Sequence, residues 1–435
     1  MSWSVALWEG RIDARDDLAR ALAVPAATSD VDLVRLAFEK WGEDAPAHVA
    51  IIEKQDIRFR RYWSVPVADA PRKISEDDAV EEFRAVFERA VADRAADRVA
   101  ISLSGGVDST AVAATLARVK PGAASAVTAR YEHLVRDDDP RYAALAASAL
   151  GIPLQFLNSD RYELFERWDD PHCRGLEPID TPLRAAFVDL IRLLGARAPV
   201  IMTGQGGDAV LYASHGYFIG LLRRGRVDRA AAESLRYALT RRKLPPLLFR
   251  SHLLRALGMR SDIPPYPPWL RRDLRERWRE VWSWRRRALH PWRPEAAHFV
   301  QQPMWGNAFQ TYHRAWTGVD AAVTTPFFDT RVVEFLFSLP PMPHFADKDI
   351  VRRAMKGRLP DEVRLRPKRP FGTDPAEVLL RRDLTPWLPL LGHPQMAQFV
   401  DTRILTQSLQ SGWREARPLQ QEMKALCLAK WLTYR

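Results

Sequence analysis

Cysteine is almost missing from this chain: Cys173 and Cys427 are the only two in 435 residues. Two thiols cannot make a disulfide framework or a four-ligand zinc site, and a reducing cytoplasm is the expected compartment. No uninterrupted apolar run reaches the ~18 residues a spanning helix needs, so no membrane span is expected. The first residues, Met1 to Gly10, lack a basic n-region, and Glu9 and Gly10 come too early for a signal peptide. The ten histidines include no His-x-x-x-His pair and no Glu-flanked zinc motif. A charged fraction of 27% beside a hydrophobic fraction of 47% excludes disorder as the main state.

Acidic residues are outnumbered, 54 against 65 Lys and Arg, for a net charge of +11. The excess is local. Leu221 to His290 holds 19 Arg and Lys against 6 Asp and Glu, or +13, which leaves the rest of the chain at −2. A pI near 9.8 prompts a nucleic-acid reading, but basicity confined to one segment rather than the whole surface weakens it. No nucleic-acid partner is therefore expected. The segment reads as solvated helix faces with Arg stems over apolar surface, or as a docking surface for an acidic partner or polyphosphate.

The pattern changes along the chain. To about Pro71 it reads as small and partly β, with helices over Arg11 to Leu22 and Val31 to Trp41. Ser75 with Asp78 resembles a capping box that opens a helix to about Ala95. From Arg98, short apolar runs alternate with helical stretches. Strands are predicted at Val99–Leu103, Ala123–Ala129, Pro153–Leu157 and Pro199–Thr203, with helices between them. That alternation predicts an α/β fold with a doubly wound parallel sheet, whose ligands bind beyond the carboxyl ends of the strands. After Tyr212 the chain reads helical.

The strongest motif is Leu103-Ser104-Gly105-Gly106-Val107-Asp108-Ser109-Thr110, between a predicted strand and a predicted helix. Adjacent glycines let a backbone turn tightly and offer its N–H groups to phosphate. Ser104, Ser109 and Thr110 are read as further hydroxyl donors. Asp108 cannot face phosphate oxygens unaided, so Mg²⁺ between them is implied. The string is not a Walker loop, because no Gly-Lys-Ser/Thr follows, and its glycine spacing does not fit a dinucleotide fingerprint.

This string resembles the pyrophosphate loop of ATP pyrophosphatases of the asparagine synthetase type. Such enzymes adenylate a carboxylate or carbonyl oxygen with ATP, and a nitrogen nucleophile then displaces AMP. Thr203-Gly204-Gln205-Gly206-Gly207-Asp208 resembles the family's second turn, and the resemblance gives Asp208 a share in holding Mg²⁺ on pyrophosphate. It also places the ATP-base contacts at Leu103, Val127, Thr203 and Gly204. Pro326-Phe327-Phe328-Asp329, Lys348-Asp349-Ile350-Val351-Arg352 and Arg366-Pro367-Lys368-Arg369-Pro370-Phe371-Gly372 follow in the family's order, with Val351 where the family has Leu. The family's lysine lies over the acyl-adenylate, a role that passes to Lys348; a positioned ammonium in a dry site can stabilise charge. Gln205, Arg352, Arg366 and Lys368 are weaker candidates, and a solvated basic loop is the competing reading for Arg366 and Lys368.

The resemblance implies an adenine nucleotide α-hydrolase-like sheet with helical C-terminal additions over 73–435. It implies a small, truncated, inactive glutaminase-like α+β domain over 1–72. Gly10 to Leu18 and Trp41-Gly42-Glu43-Asp44 look like pieces of that amidase, but Ser2 stands where its nucleophilic cysteine would be, and the family's Cys-Gly-Ile start is missing. Relatives with an inactive amidase include β-lactam synthetases and lasso peptide cyclases. Leu222-Arg223-Arg224-Gly225-Arg226, Pro267-Pro268-Trp269-Leu270-Arg271-Arg272 and Ala425 to Leu432 look like lasso cyclase sequences. Gln205 cannot serve as a base, which weakens the case for β-lactam closure. The expected substrate is a leader-cleaved core peptide, and the expected partners are a leader peptidase and a leader-recognition protein. An ammonia-dependent asparagine synthetase and a tRNA-modifying ATP pyrophosphatase remain as alternatives.

Overall fold

The computed structural model describes residues 25, 49–53, 56–60, 65–67, 70–173, 178, 181–213, 217, 221–222, 225–241, 265–283, 290–302, 304–367, 373–414 and 419–434. The helices expected at 11–22 and 31–41, and Ser2, lie outside these residues. So does most of the 1–72 segment, of which an antiparallel pair is described, β1 (Val49–Glu53) with β2 (Asp56–Arg60).

Five parallel strands form the central sheet: β3 (Val99–Ser102), β4 (Ala124–Arg130), β5 (Leu154–Asn158), β6 (Val200–Thr203) and β7 (Ala322–Thr324), in the order β5-β4-β3-β6-β7. The chain moves outward from β3 on one side through β4 and β5, then returns to place β6 on the other. That reversal is the switch point of a doubly wound sheet, and it opens a crevice at the carboxyl ends of β3 and β6. β7 was not expected. Three residues carry too little pattern to read, and β6 defines the strand by pairing with it.

The first helix, α1 (Glu76–Ala92), begins where the capping box placed it. Ser75 Oγ accepts the Asp78 N–H at 3.1 Å and donates to the Asp78 carboxylate at 2.6 Å, and Glu76, Asp77 and Asp78 face the positive end of the helix dipole. Its buried stripe runs Ala79, Phe83, Val86, Phe87 and Ala90, at helical spacing. It packs on α2 (Val107–Val119), whose residues Ser109 to Leu116 are all buried. Next along the chain are α3 (Asp139–Leu150) and α4 (Arg184–Gly195). Alternation along β3 divides two cores: Val99 and Ile101 face α1 and α2, and Ala100 faces Ile191 and Leu194 of α4. The glycine turn after β6 leads into the short α5 (Gly207–Val210).

The rest is helical, as expected. α6 (Val227–Arg241) and α7 (Arg275–Ser283) lie within the basic segment. α8 (Pro294–Val300), α9 (Met304–Gln310) and α10 (Arg314–Thr317) precede β7. α11 (Thr330–Ser338), α12 (Asp349–Ala354), α13 (Asp361–Arg364), α14 (Pro375–Arg382), α15 (Thr402–Arg414) and α16 (Gln420–Leu432) follow it. No described helix is long and apolar enough to cross a membrane.

The Pro326-Phe327-Phe328-Asp329 string proves to be a buried helix entry. Asp329 is 0% exposed, accepts the Arg331 N–H at 2.9 Å as the cap of α11, and pairs with Arg94 at 2.6 Å and the Arg331 guanidinium at 2.7 Å. Burial alone would raise the carboxyl pKa; the Arg331 hydrogen bond and the charge and hydrogen bond of Arg94 outweigh it and hold the pKa low. Asp329→Asn leaves buried Arg94 without its carboxylate and is expected to cost ~3–5 kcal/mol. Because the folded pKa is depressed, this stabilisation is present above about pH 4 and fades as pH falls through the folded value. Urea unfolding should therefore separate the two proteins widely near neutral pH and bring them together in acid; an equal gap at both would contradict the assignment.

Candidate active site

Three loops build the site, and each needs its particular residues. The first follows β3. Leu103 donates its N–H to Val127 O at 3.0 Å and accepts Thr128 Oγ1 at 2.6 Å, so the loop leaves the sheet from a fixed point. Gly105 has φ +69°, and a Cβ there would lie 2.3 Å from Asp139 O and 2.9 Å from Ala143 N. Only glycine fits against the start of α3 in that conformation. Ser109 Oγ accepts the Ser104 N–H at 3.1 Å and sits 3.2 Å from the Gly106 carbonyl, and Thr110 Oγ1 donates to that carbonyl at 2.9 Å. Both hydroxyls are buried and shape the loop. Of the three expected hydroxyl donors, Ser104 is the exposed one, with its Oγ 3.0 Å from Ser109 Oγ.

The second loop follows β6. Thr203 Oγ1 accepts the Gln205 N–H at 3.2 Å. A Cβ on Gly204 would lie 2.5 Å from Ser109 N, and one on Gly207 would lie 2.5 Å from Asp108 Cγ. Gly204 therefore packs on the main chain at the start of α2 and Gly207 on the Asp108 side chain, so a side chain at either position would push the second turn off the first. Gly206, at φ +88°, carries the Phe328 ring, which a Cβ would meet at 2.5 Å.

The third loop carries Lys348 at the end of a short turn before α12. Its Nζ donates to Asp108 Oδ2 and lies 2.7 Å from Asp208 Oδ1. Lys348 is 15% exposed, Asp108 14% and Asp208 63%. Residues 108, 208 and 348 thus meet at one ammonium in the crevice between β3 and β6.

The weaker candidates separate. Arg366 is no solvated loop residue: it donates to Asp139 Oδ1 at 2.5 Å and to the Gly105 carbonyl at 3.4 Å, and lies 4.1 Å over the Tyr142 ring. It ties the first glycine turn to α3. Arg352 is buried behind Lys348. The Gln205 Oε1 atom is buried and has no hydrogen-bond partner among the described residues. The Val127 side chain lies in the core beside α4, so its part in a nucleotide site would fall to its main chain. Lys368 lies outside the described residues.

Sequence reasoning missed Phe328 as the neighbour of Gly206, and Asp139 and Tyr142 as the seat of Arg366. Asp139 had a readable signal, the acidic run before Pro140 at a helix start; Phe328 stood in the Pro326-Phe327-Phe328-Asp329 string, but nothing there announced its contact with Gly206. Beyond Asp139, burial pushes the Asp137 carboxyl up against the hydrogen bond it accepts from the Asp139 N–H. Burial, with the charges of Asp374, Asp137 and Asp160, pushes the Tyr131 phenol up to about 12.

Glycine turns that offer N–H groups at a helix start, two carboxylates and one ammonium suit a polyphosphate with its cation. The donor set fits Mg²⁺ in particular. That ion commonly takes one or two carboxylates, with phosphate oxygens and water completing its shell. Among the described residues no cluster of three His, Cys, Asp or Glu side chains offers a closed metal cage.

Among solved structures, the U34-tRNA thiolase NcsA from Methanococcus maripaludis with its [4Fe-4S] cluster is similar over 57% of this chain and 80% of that one, at 13% identity and a TM-score of 0.25. No curated protein matches the chain. The asparagine synthase family matches residues 82–433, which hold all three loops of the site. The chain belongs to the asparagine synthase family and is an ATP-dependent ligase that forms carbon–nitrogen bonds with release of AMP and pyrophosphate.

Proposed function

We propose that this ligase is a lasso peptide cyclase. Its substrate is a leader-cleaved core peptide, and it joins an Asp or Glu side chain of that peptide to the peptide's own N-terminal amine. The observation that carries the ATP chemistry is the meeting of Asp108, Asp208 and Lys348 at the two glycine turns. The peptide reading rests on the basic and C-terminal strings at 222–226, 267–272 and 425–432. In this reading 1–72 is a truncated glutaminase-like domain without amidase activity, and 73–435 is the ligase.

Each residue then has a task. Ser104 and the N–H groups of Gly105, Gly106, Gly204 and Gly206 bind the triphosphate; those of Gln205 and Gly207 are already used within the second turn. Asp108 and Asp208 would hold Mg²⁺, which when bound neutralises charge on the departing pyrophosphate. The Lys348 ammonium, close to both carboxylates, stabilises negative charge on the phosphoryl and acyl oxygens. The chain of the peptide, held folded, brings its amine to the activated carbon, and such proximity can supply several kcal/mol of the barrier. Direct condensation in water is unfavourable, so the carboxylate is first adenylated and AMP leaves as the ring closes.

Incubation of the enzyme with core peptide and Mg-ATP should give a product lighter by one water, together with AMP rather than ADP. Release of AMP with aspartate and ammonia in place of peptide would favour an asparagine synthetase, and retention of bulk tRNA on a filter would favour a tRNA-modifying enzyme. Glutamine is expected neither to be hydrolysed nor to support product formation. Glutamate release above a heat-killed control would overturn that expectation.

A further inference from the structure

Lys348 reaches the carboxylates from an unusual backbone. Asp347 (φ 49°, ψ 30°) and Lys348 (φ 59°, ψ 39°) are consecutive left-handed residues, and neither is glycine. For residues with a Cβ each such conformation costs free energy, and it persists only where surrounding bonds over-determine it. Here Lys348 N–H donates to Phe345 O at 3.2 Å, and Ile350 N–H donates to His344 O at 2.9 Å. The third bond comes from a side chain: Arg352 Nε donates to Asp347 O at 2.6 Å.

Arg352 is 8% exposed, so its guanidinium is not a surface charge. Its Nη1 donates to the Arg364 carbonyl, and Arg364 Nη1 returns a bond to the Arg352 carbonyl at 3.1 Å. Arg364 is itself fixed by Asp361 at 2.7 Å. The planar fork of Arg352 therefore spans two carbonyls, one on the strained turn and one on a braced helix, α13. A flexible ammonium on a straight stem could not hold both at a set angle.

We infer that Arg352 is a positioning residue for Lys348: it holds the Asp347 carbonyl, and so the left-handed turn, in the state that sets Lys348 Nζ between Asp108 and Asp208. It does not touch substrate. The inference rests on Lys348 being the working cation of the proposed reaction, but the geometry it describes is independent of that reaction.

Two readouts test it. In ATP–pyrophosphate exchange with core peptide, Arg352→Lys is expected to lower kcat by on the order of 10–100-fold while KM for ATP stays within about twofold. Adding Asp347→Gly, judged against Asp347→Gly alone, should recover much of that loss, because glycine takes the left-handed conformation without strain and needs less support. A fall in thermal stability with unchanged exchange per folded molecule would overturn the inference, and so would a double variant no better than Arg352→Lys. The second readout needs no activity. Paired between two carboxylates, Lys348 should react slowly with an amine-directed acylating reagent, and mass spectrometry should show several-fold faster labelling at Lys348 in Arg352→Lys. Unchanged labelling overturns the positioning role even if the enzyme proves not to be a cyclase; faster labelling without any exchange in the wild type would sink the cyclase reading alone. Should Arg352→Lys fail to fold, Arg364→Lys, which loosens the same brace, should show the labelling change at smaller size, and no change there counts against the inference.

Discussion

Asp108→Asn and Asp208→Asn are each expected to abolish ATP–pyrophosphate exchange while leaving the fold intact. The amide is the same size as the carboxylate and can still accept a hydrogen bond from Lys348 Nζ. What it removes is one unit of negative charge beside the glycine turns. A cation between carboxylate and phosphate contributes several kcal/mol at the transition state, so the loss should be on the order of 10³-fold or more. Asp208 is 63% exposed, and an exposed substitution of this kind changes stability by no more than about 0.5 kcal/mol. Asp108 is 14% exposed and lies against Gly207, so a modest stability change is expected there and should be measured by urea unfolding before rates are compared. Near-normal exchange in either variant would remove that residue from the metal role.

The sheet was legible because buried parallel strands read as short apolar runs and the turns between them carry glycine or proline. The strands fall within a residue or so of their expected limits. β7 was not legible, since Ala322-Val323-Thr324 becomes a strand by pairing with a segment 122 residues earlier. The site divides in the same way. Asp108 could be read because it follows a glycine turn at a strand end, a local pattern with a physical reason; Asp208, after the second glycine turn, was assigned through resemblance. Lys348 was legible through resemblance alone; its sequence neighbours do not announce two left-handed residues, because glycine is absent from the turn. Sequence left Arg366 between a site residue and a solvated loop, because its partners, Gly105 and Asp139, lie more than 200 positions away. Local sequence reports the loops that offer main-chain groups. The side chains that brace those loops come from distant segments, and only packing reveals them.

Lys348→Met is expected to remove most ring formation. The substitution roughly keeps the length of the side chain and removes its charge, so lost packing is a poor explanation for lost turnover. Lys348 is 15% exposed and lies between Asp108 and Asp208, which sets aside the view of it as a surface lysine; a surface change would shift stability by no more than about 0.5 kcal/mol and leave turnover alone. If the ammonium acts mainly on charge that develops as pyrophosphate or AMP departs, kcat and kcat/KM should fall together and ATP affinity should change little. Lys348→Arg should not restore full activity, since a planar guanidinium cannot sit between two carboxylates as a compact ammonium does. Removing the cation also leaves the two carboxylates facing each other. The Met variant is therefore expected to bind Mn²⁺ more tightly than the wild type in the absence of nucleotide, an effect a passive surface residue would not produce. Single-turnover ring closure at saturating ATP decides the catalytic part: a Met variant that closes rings within about twofold of wild type, far short of the ~10²–10³-fold typical of losing an electrostatic stabiliser, sinks the assignment.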